Sequence, residues 1–310
     1  VIKLKKAYFF VILTAFLFGT MEVACKVAGN DLDPFQLTFI RFAMGGIILL
    51  PFAIHELRKN EIRLQAQDFL VLAGVGTLGI AVSMVFFQLG VGSSNASTAS
   101  VLISINPLFT MVFAHFFTSE KMNKYKVYVL AIAFLGLVFM IRPWDIQEGN
   151  TISGICFMLI AAITFGAYTV AGKVSVSKMG LMAQTSFSFL LGSAVLLGFI
   201  CVTGKPVFEG VTANIPLILY VGIFVTGMGY WSYFKAIELS DASTGSFAFF
   251  LKPAIAPVIA VIVLHEVILW NTIVGILLIL LASYMNIMFQ RKTNEIKKRT
   301  ADDYKRNISE

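Results

Sequence analysis

Three charged side chains interrupt stretches that are otherwise apolar: Glu22, Arg41 and Lys252. A charge in the middle of an apolar helix costs about 2.5–3.5 kcal/mol on insertion scales, so such residues are expected to pair or to serve a site. The simplest resolution pairs Glu22 with Lys252, or with Arg41. Lys252 lies deepest, just before Pro253; Arg41 lies nearer a helix end, where its long side chain can snorkel toward the interface. Together Glu22 and Lys252 have the chemistry to hold a zwitterion, its carboxylate on Lys252 and its amine on Glu22. A variant has Glu22 carry a proton, since a desolvated carboxyl can exchange one. The alternative is a static ion pair that joins two helices.

Polar and aromatic residues fall at the same depth. Pro107 and Pro253 each sit mid-segment, where proline removes an amide donor and frees a carbonyl. A helix break or kink is expected there, beside Ser104, Asn106 and Lys252. Phe87, Tyr168, Tyr230, Trp231 and Phe250 are candidates to line a pocket for an apolar or aromatic group; the alternative is ordinary helix packing. Glu120 and Glu266 read as interfacial charges or helix-end groups. Trp144 and Trp270 read as interface anchors.

The elements that position these residues are apolar segments of membrane length. The chain is 58% hydrophobic and 13% charged, with mean hydropathy +0.84. A soluble domain of this size could not bury that much apolar surface. Ten runs near 20 residues recur: 7–28, 35–54, 69–91, 96–117, 125–142, 153–174, 182–203, 214–235, 243–264 and 271–289. In lipid the backbone must satisfy its own hydrogen bonds, and period-2 alternation is absent, so these are helices rather than barrel strands. With the N-terminus inside, nineteen of the 24 Lys and Arg fall on the cytoplasmic side. Lys26, Arg142 and Lys205 fall outside, and Arg41 and Lys252 lie within spans. Both termini are therefore expected in the cytoplasm of a plasma (inner) membrane. The basic balance needs no nucleic-acid partner, and the tail 291–310 is a charged cytoplasmic segment with anionic lipid as an alternative contact.

The second half repeats the first. Phe18-Gly19-Thr20-Met21-Glu22-Val23-Ala24-Cys25-Lys26-Val27 returns as Phe165-Gly166-Ala167-Tyr168-Thr169-Val170-Ala171-Gly172-Lys173-Val174. Asn95-Ala96-Ser97-Thr98-Ala99-Ser100 returns as Asp241-Ala242-Ser243-Thr244-Gly245-Ser246, and Pro107 and Glu120 match Pro253 and Glu266 at that offset. Residues 1–148 and 149–290 thus read as two five-helix repeats. Five is odd, so the second is inverted. The expected fold is all-α: a polytopic membrane protein of ten transmembrane helices in two inverted repeats. Ala15-xxx-Gly19 and Ala162-xxx-Gly166 offer small faces for close helix approach.

This pattern resembles the EamA-type drug/metabolite transporters. The resemblance rests on ten spans in two halves, on Gly19-x-x-x-x-x-x-Lys26 with its copy Gly166 to Lys173, and on Pro then Glu in the fourth helix of each half. It covers about residues 7–290. It implies a central cavity lined by the first, third and fourth helices of each half, with the fifth and tenth peripheral. It also implies secondary transport, by alternating access, of a small polar or zwitterionic metabolite such as an amino acid, in the export direction. Phe18 stands where the commonest family pattern has Trp. Broad export of lipophilic drugs is the alternative, and a non-transporting receptor or scaffold is another. No catalytic cluster, metal spacing or cofactor motif appears, so neither an enzyme nor a cofactor is expected; the partners are a substrate, lipid and, in the Glu22 variant, a proton.

Several motif matches carry no chemistry in this setting. Gly74-Val75-Gly76-Thr77-Leu78-Gly79 fits a dinucleotide fingerprint, but it lies in an apolar helix and reads as helix packing. His265-Glu266 lacks a second zinc ligand, and Ser175-x-x-Lys178 lacks a catalytic set. Asn95 and Asn307 fit glycosylation sequons by chance. The Lys-rich N-terminus reads as an uncleaved first helix. Cys25, Cys156 and Cys201 are isolated packing residues.

Overall fold

The computed structural model describes residues 2–117, 124–142, 146–239 and 242–282, with 284, 285 and 288. The described residues form helices and connecting turns, without strands. Glu120, Trp144 and the tail 291–310 lie outside them, as do the side chains of Pro107 and Phe250.

The first crossing, α1 (Ile2–Gly19) and α2 (Met21–Ala28), runs on through Thr20, whose N–H donates to Phe16 O and whose carbonyl accepts from Ala24 N; the Thr20 hydroxyl donates to Leu17 O at 2.8 Å and lies 2.6 Å from Tyr220 Oη. α3 (Pro34–Lys59) starts with a capping box: Asp33 accepts from Phe35 N, and Gln36 accepts from Asp33 N. Next come α4 (Ala66–Gly76), a π-helical stretch Thr77–Met84, and α5 (Val85–Gly92). α6 (Ala96–Ile103) and α7 (Asn106–Phe117) are divided by a turn at 104–105. α8 (Lys124–Ile141), α9 (Ile152–Met179) and α10 (Leu181–Val202) follow. α11 (Ile215–Leu219), a second π stretch Tyr220–Met228 and α12 (Gly229–Leu239) make one further crossing. α13 (Ala242–Leu264) and α14 (Trp270–Ala282) complete the order.

Among the described residues, seven stretches are long and apolar enough to cross a membrane: Lys6–Ala28, Pro34–Lys59, Ala66–Gly92, Ala96–Phe117, Ile152–Val176, Leu181–Val202 and Ile215–Tyr233. Three shorter apolar helices, Val127–Ile141, Ile255–Leu264 and Trp270–Ala282, accompany them. Large apolar side chains face outward, among them Ile12, Phe16, Ile47, Leu70, Phe116 and Val202. An exposed apolar surface of this extent fits lipid rather than water, and the chain is an all-helical, polytopic integral membrane protein.

Glycines set the close crossings. A Cβ on Gly19 of α1 would lie 2.7 Å from Ile255 of α13, and one on Gly166 of α9 would lie 2.9 Å from Phe109 of α7. Gly76 abuts the backbone of Ser188 and Gly192 on α10, and Gly222 abuts Met44 on α3. The glycine-rich 74–79 stretch is thus a helix-packing face. Gly136 of α8 crosses Gly275 of α14, and Phe134, Leu135 and Phe139 of α8 remain exposed.

α3 and α10 lie together and lock at both ends. Glu56 accepts from the amides of Met182 and Ala183 at 2.8 and 3.0 Å, capping α10. At the other end Lys205 lies 2.8 Å from Asp33. Between them Ser186 Oγ donates to Gly46 O at 2.9 Å, and the rings of Phe42 and Phe189 meet edge-on at 4.8 Å.

The two central prolines differ in effect. Pro107 falls in the first turn of α7, directly after the break, where its missing N–H costs nothing. Pro253 lies inside α13, which continues past it and past Pro257.

Candidate functional site

The first crossing carries the acidic group of the site. Glu22, in the first turn of α2, is fully buried, and Lys252 of α13 is 2% exposed. Lys252 Nζ lies 2.6 Å from Glu22 Oε1; Glu22 Oε2 has no hydrogen-bond partner. The sequence mate of Glu22, Thr169, sits on the unbroken α9, is exposed, and returns its hydroxyl to Phe165 O.

Arg41 does not snorkel. It is 1% exposed, because its place on α3 faces α2 and the π stretch rather than lipid. Its Nη1 lies 3.6 Å from Met21 Sδ and its Nη2 3.5 Å from Met84 Sδ. Its guanidinium stands 4.5 Å from the Phe42 ring centre and 5.4 Å from that of Phe87.

A small cavity lies beside Lys252. Its walls are Phe18, Met21, Met84, Ile103, Ser104, Asn106, Phe165, Tyr230, Phe249 and Lys252. Water centres have about 20 Å³ available, room for a water molecule or two and not for an organic metabolite. This conformation is closed around the site. Ser104 and Asn106 line it, yet both spend a hydrogen bond on their own helix: Ser104 Oγ donates to Ser100 O at 2.6 Å and Asn106 Nδ2 to Ile103 O at 2.8 Å. Those bonds stabilise carbonyls at the α6–α7 break.

Of the aromatic candidates, Tyr230 lines the cavity. Phe87 does not, because it is buried beneath the Arg41 guanidinium. Tyr168 packs over Gly79, one layer behind Phe165. Trp231 turns to the periphery, edge-on to Phe10 at 5.4 Å and near Phe52. The Phe250 side chain lies outside the described residues, while its neighbour Phe249 is on the wall.

Sequence reasoning missed Met21, Met84, Ile103 and Phe249 as wall residues, and treated Phe18 and Phe165 only as repeat markers. The signal was the repeat. Phe18 and Phe165, Met84 and Tyr230, Ile103 and Phe249, and Asn106 and Lys252 are all mates at an offset of 146 or 147, and all eight reach the cavity.

Glu266 is no ordinary interfacial charge. Its carboxylate accepts from Ala96 N at 2.6 Å, Ser97 N at 3.1 Å and Ser97 Oγ at 2.6 Å, capping α6 from the far half of the chain. Lys26 lies 3.5 Å from it and donates to Ser94 O at 2.6 Å. The sequon residue Asn95 is buried in the same junction and donates to Glu148 O.

The model of the EamA-like transporter family matches residues 5–142 and again 152–288. An uncharacterized transporter of Clostridium kluyveri is 37% identical over 302 residues, covering 95% of this chain and 97% of its own. An S-adenosylmethionine uptake transporter of Rickettsia prowazekii is 26% identical, covering 89% of this chain and 90% of its own. A solved protein structure superposes with a TM-score of 0.65 at 15% identity, over 93% of this chain and 99% of that one, and so shares the fold. The chain belongs to the EamA-like transporter family.

Proposed function

We propose that the chain is a secondary transporter that exports a small polar or zwitterionic metabolite, such as an amino acid, by alternating access around the cavity beside Lys252. The observation that carries this reading is the buried Glu22–Lys252 pair, set where four pairs of repeat mates converge. A membrane-buried ion pair at a cavity is expected to serve substrate or coupling ion. Glu22 and Lys252 offer complementary charges to a zwitterion, and in the proton-coupled variant Glu22 exchanges the proton. The name of the Rickettsia relative supports an amino-acid-like group, since S-adenosylmethionine carries one. Export rests on the family resemblance alone.

Ten crossings in two inverted repeats, 1–148 and 149–290, with a cytoplasmic tail 291–310, complete the proposal. Pairings that exchange halves support it. Gly19 meets Ile255 as its mate Gly166 meets the mate of Ile255, Phe109. Lys178 bonds Asp68 at 2.6 Å, and the corresponding pair, Asp31 and Asn214, bonds at 3.1 Å. The Lys/Arg asymmetry supports cytoplasmic termini in a plasma (inner) membrane. The role is non-enzymatic.

The test is counterflow in proteoliposomes preloaded with pooled amino acids and related metabolites. Labelled uptake of one compound is the expected result. No exchange across the pool, from folded protein, removes the amino-acid reading. The aromatic wall of Phe18, Phe165, Tyr230 and Phe249 favours a second reading, export of lipophilic drugs, which predicts exchange of apolar cations in the same vesicles.

A further inference from the structure

Glu22 and Lys252 pair closely with one another, so the third buried charge, Arg41, has no carboxylate of its own; it feels Glu22 only from a distance. Among the described residues no carboxylate lies within 4.0 Å of Arg41. Its partners are two thioether sulfurs and two ring faces, and its Nε has no hydrogen-bond partner. Thioethers are weak acceptors, and cation–π contacts with ring faces are modest. Neither replaces what a guanidinium loses on leaving water. The partner that its planar fork matches is a carboxylate, bound through two parallel hydrogen bonds.

Met21 and Met84, whose sulfurs touch Arg41, also form part of the cavity wall. They stand between the guanidinium and the cavity. Methionine is unbranched and adapts readily, so rotation of these two side chains would bring Arg41 to the cavity without moving its helix.

We propose that Arg41 binds the carboxylate of the transported molecule, with Met21 and Met84 as a displaceable screen, and that the preferred substrate carries a net negative charge. This rests on the transporter reading above and names the charge class of its substrate. Glu22, Lys252 and Arg41 sum to one positive formal charge. A monoanion brings the filled site to zero; a zwitterion leaves one positive charge buried, and a cation leaves two. At low dielectric the uncompensated charge is the costly one. The aromatic walls fit a small carboxylate with an apolar or aromatic body.

Three probes of similar shape test this: phenylpyruvate, phenylalanine and phenethylamine, anion, zwitterion and cation in turn. Their binding is measured by calorimetry on the full chain in lipid nanodiscs. Phenylpyruvate is expected to bind about tenfold more tightly than phenylalanine, a step of one decade in Kd, and phenethylamine not at all. Arg41→Gln should bring phenylpyruvate level with phenylalanine, and Arg41→Lys, which keeps the charge without the fork, should fall between. If Arg41→Gln does not fold, the wild-type ranking decides. Phenylalanine binding as tightly as phenylpyruvate, or an unchanged phenylpyruvate affinity in folded Arg41→Gln, overturns the proposal and leaves amino-acid transport standing. Failure of all three probes on folded wild type also overturns it, while counterflow with the metabolite pool still judges the transporter reading separately.

Discussion

Glu22 Oε1 and Lys252 Nζ lie 2.6 Å apart, both buried, and they join α2 to α13 across the two halves of the chain. Removing one partner leaves the other as an uncompensated buried charge, at a cost of about 3–5 kcal/mol. Removing both at similar volume leaves neither member of the pair unpartnered and keeps the net charge of the site, carried by Arg41, as it was. Glu22→Gln and Lys252→Met should therefore each lower the thermal midpoint markedly, and the double variant should recover much of the loss. Transport should stay absent in the double variant. A double variant that transports normally would show the pair to be a structural clamp and nothing more.

Gly76 and Gly74 are two residues apart and predict opposite outcomes. A Cβ on Gly76 would collide with the backbone of Ser188 and Gly192, whereas one on Gly74 meets nothing within 4 Å. Backbone cannot yield as a side-chain tip can. Gly76→Ala should thus part α4 from α10 and cost about 1–3 kcal/mol, and Gly74→Ala should fall within about 0.5 kcal/mol of wild type. Thermal unfolding in one detergent compares the two directly. Equal midpoints would mean that the helices do not cross at Gly76.

Glu266 performs the capping that Asn95, at the N-cap position of α6, does not. Glu266→Ala would leave the amides of Ala96 and Ser97 without their acceptor, and would take from Lys26 its carboxylate neighbour. A lost cap costs about 0.5–2 kcal/mol. Amide hydrogen exchange should quicken at 96–99 and stay unchanged in α10. Unaltered protection at 96–99 would show that the cap carries no stability.

The helices were legible because apolar length and short connections dominate the sequence, and Glu22, Arg41 and Lys252 stood out because charges are rare in such stretches. Three features were not legible. The Thr20 hydroxyl bonds Leu17 O and contacts Tyr220, 200 residues away, and neither contact follows from local composition. The fate of Arg41 was misread because depth along a helix was considered without the face it occupies. The aromatics were chosen by type, and packing sent Phe87 under Arg41 and Trp231 to the rim. Phe18 and Phe165, Ile103 and Phe249, and Met84 with Tyr230 are sequence repeat mates that all reach the wall, as the proposed inverted repeats require of a shared site.

The orientation rests on charge asymmetry and can be read from two exposed positions. Arg63 lies between α3 and α4, close after Arg58 and Lys59 at the end of α3; Glu209 lies between α10 and α11, a connection whose single cation, Lys205, is paired with Asp33. The Lys/Arg rule places the first in the cytoplasm and the second outside. With the native cysteines replaced by alanine, Arg63→Cys and Glu209→Cys should differ toward a membrane-impermeant maleimide added to intact cells. Glu209→Cys is expected to label, and Arg63→Cys only after permeabilisation. The reverse pattern would invert the topology and bring Lys26, Arg142 and Lys205 to the cytoplasmic side. Labelling of both from outside would place the two connections on one side. That contradicts an odd number of crossings between them, because α4 through α10 must then cross an even number of times, and the inverted-repeat reading would fall with it.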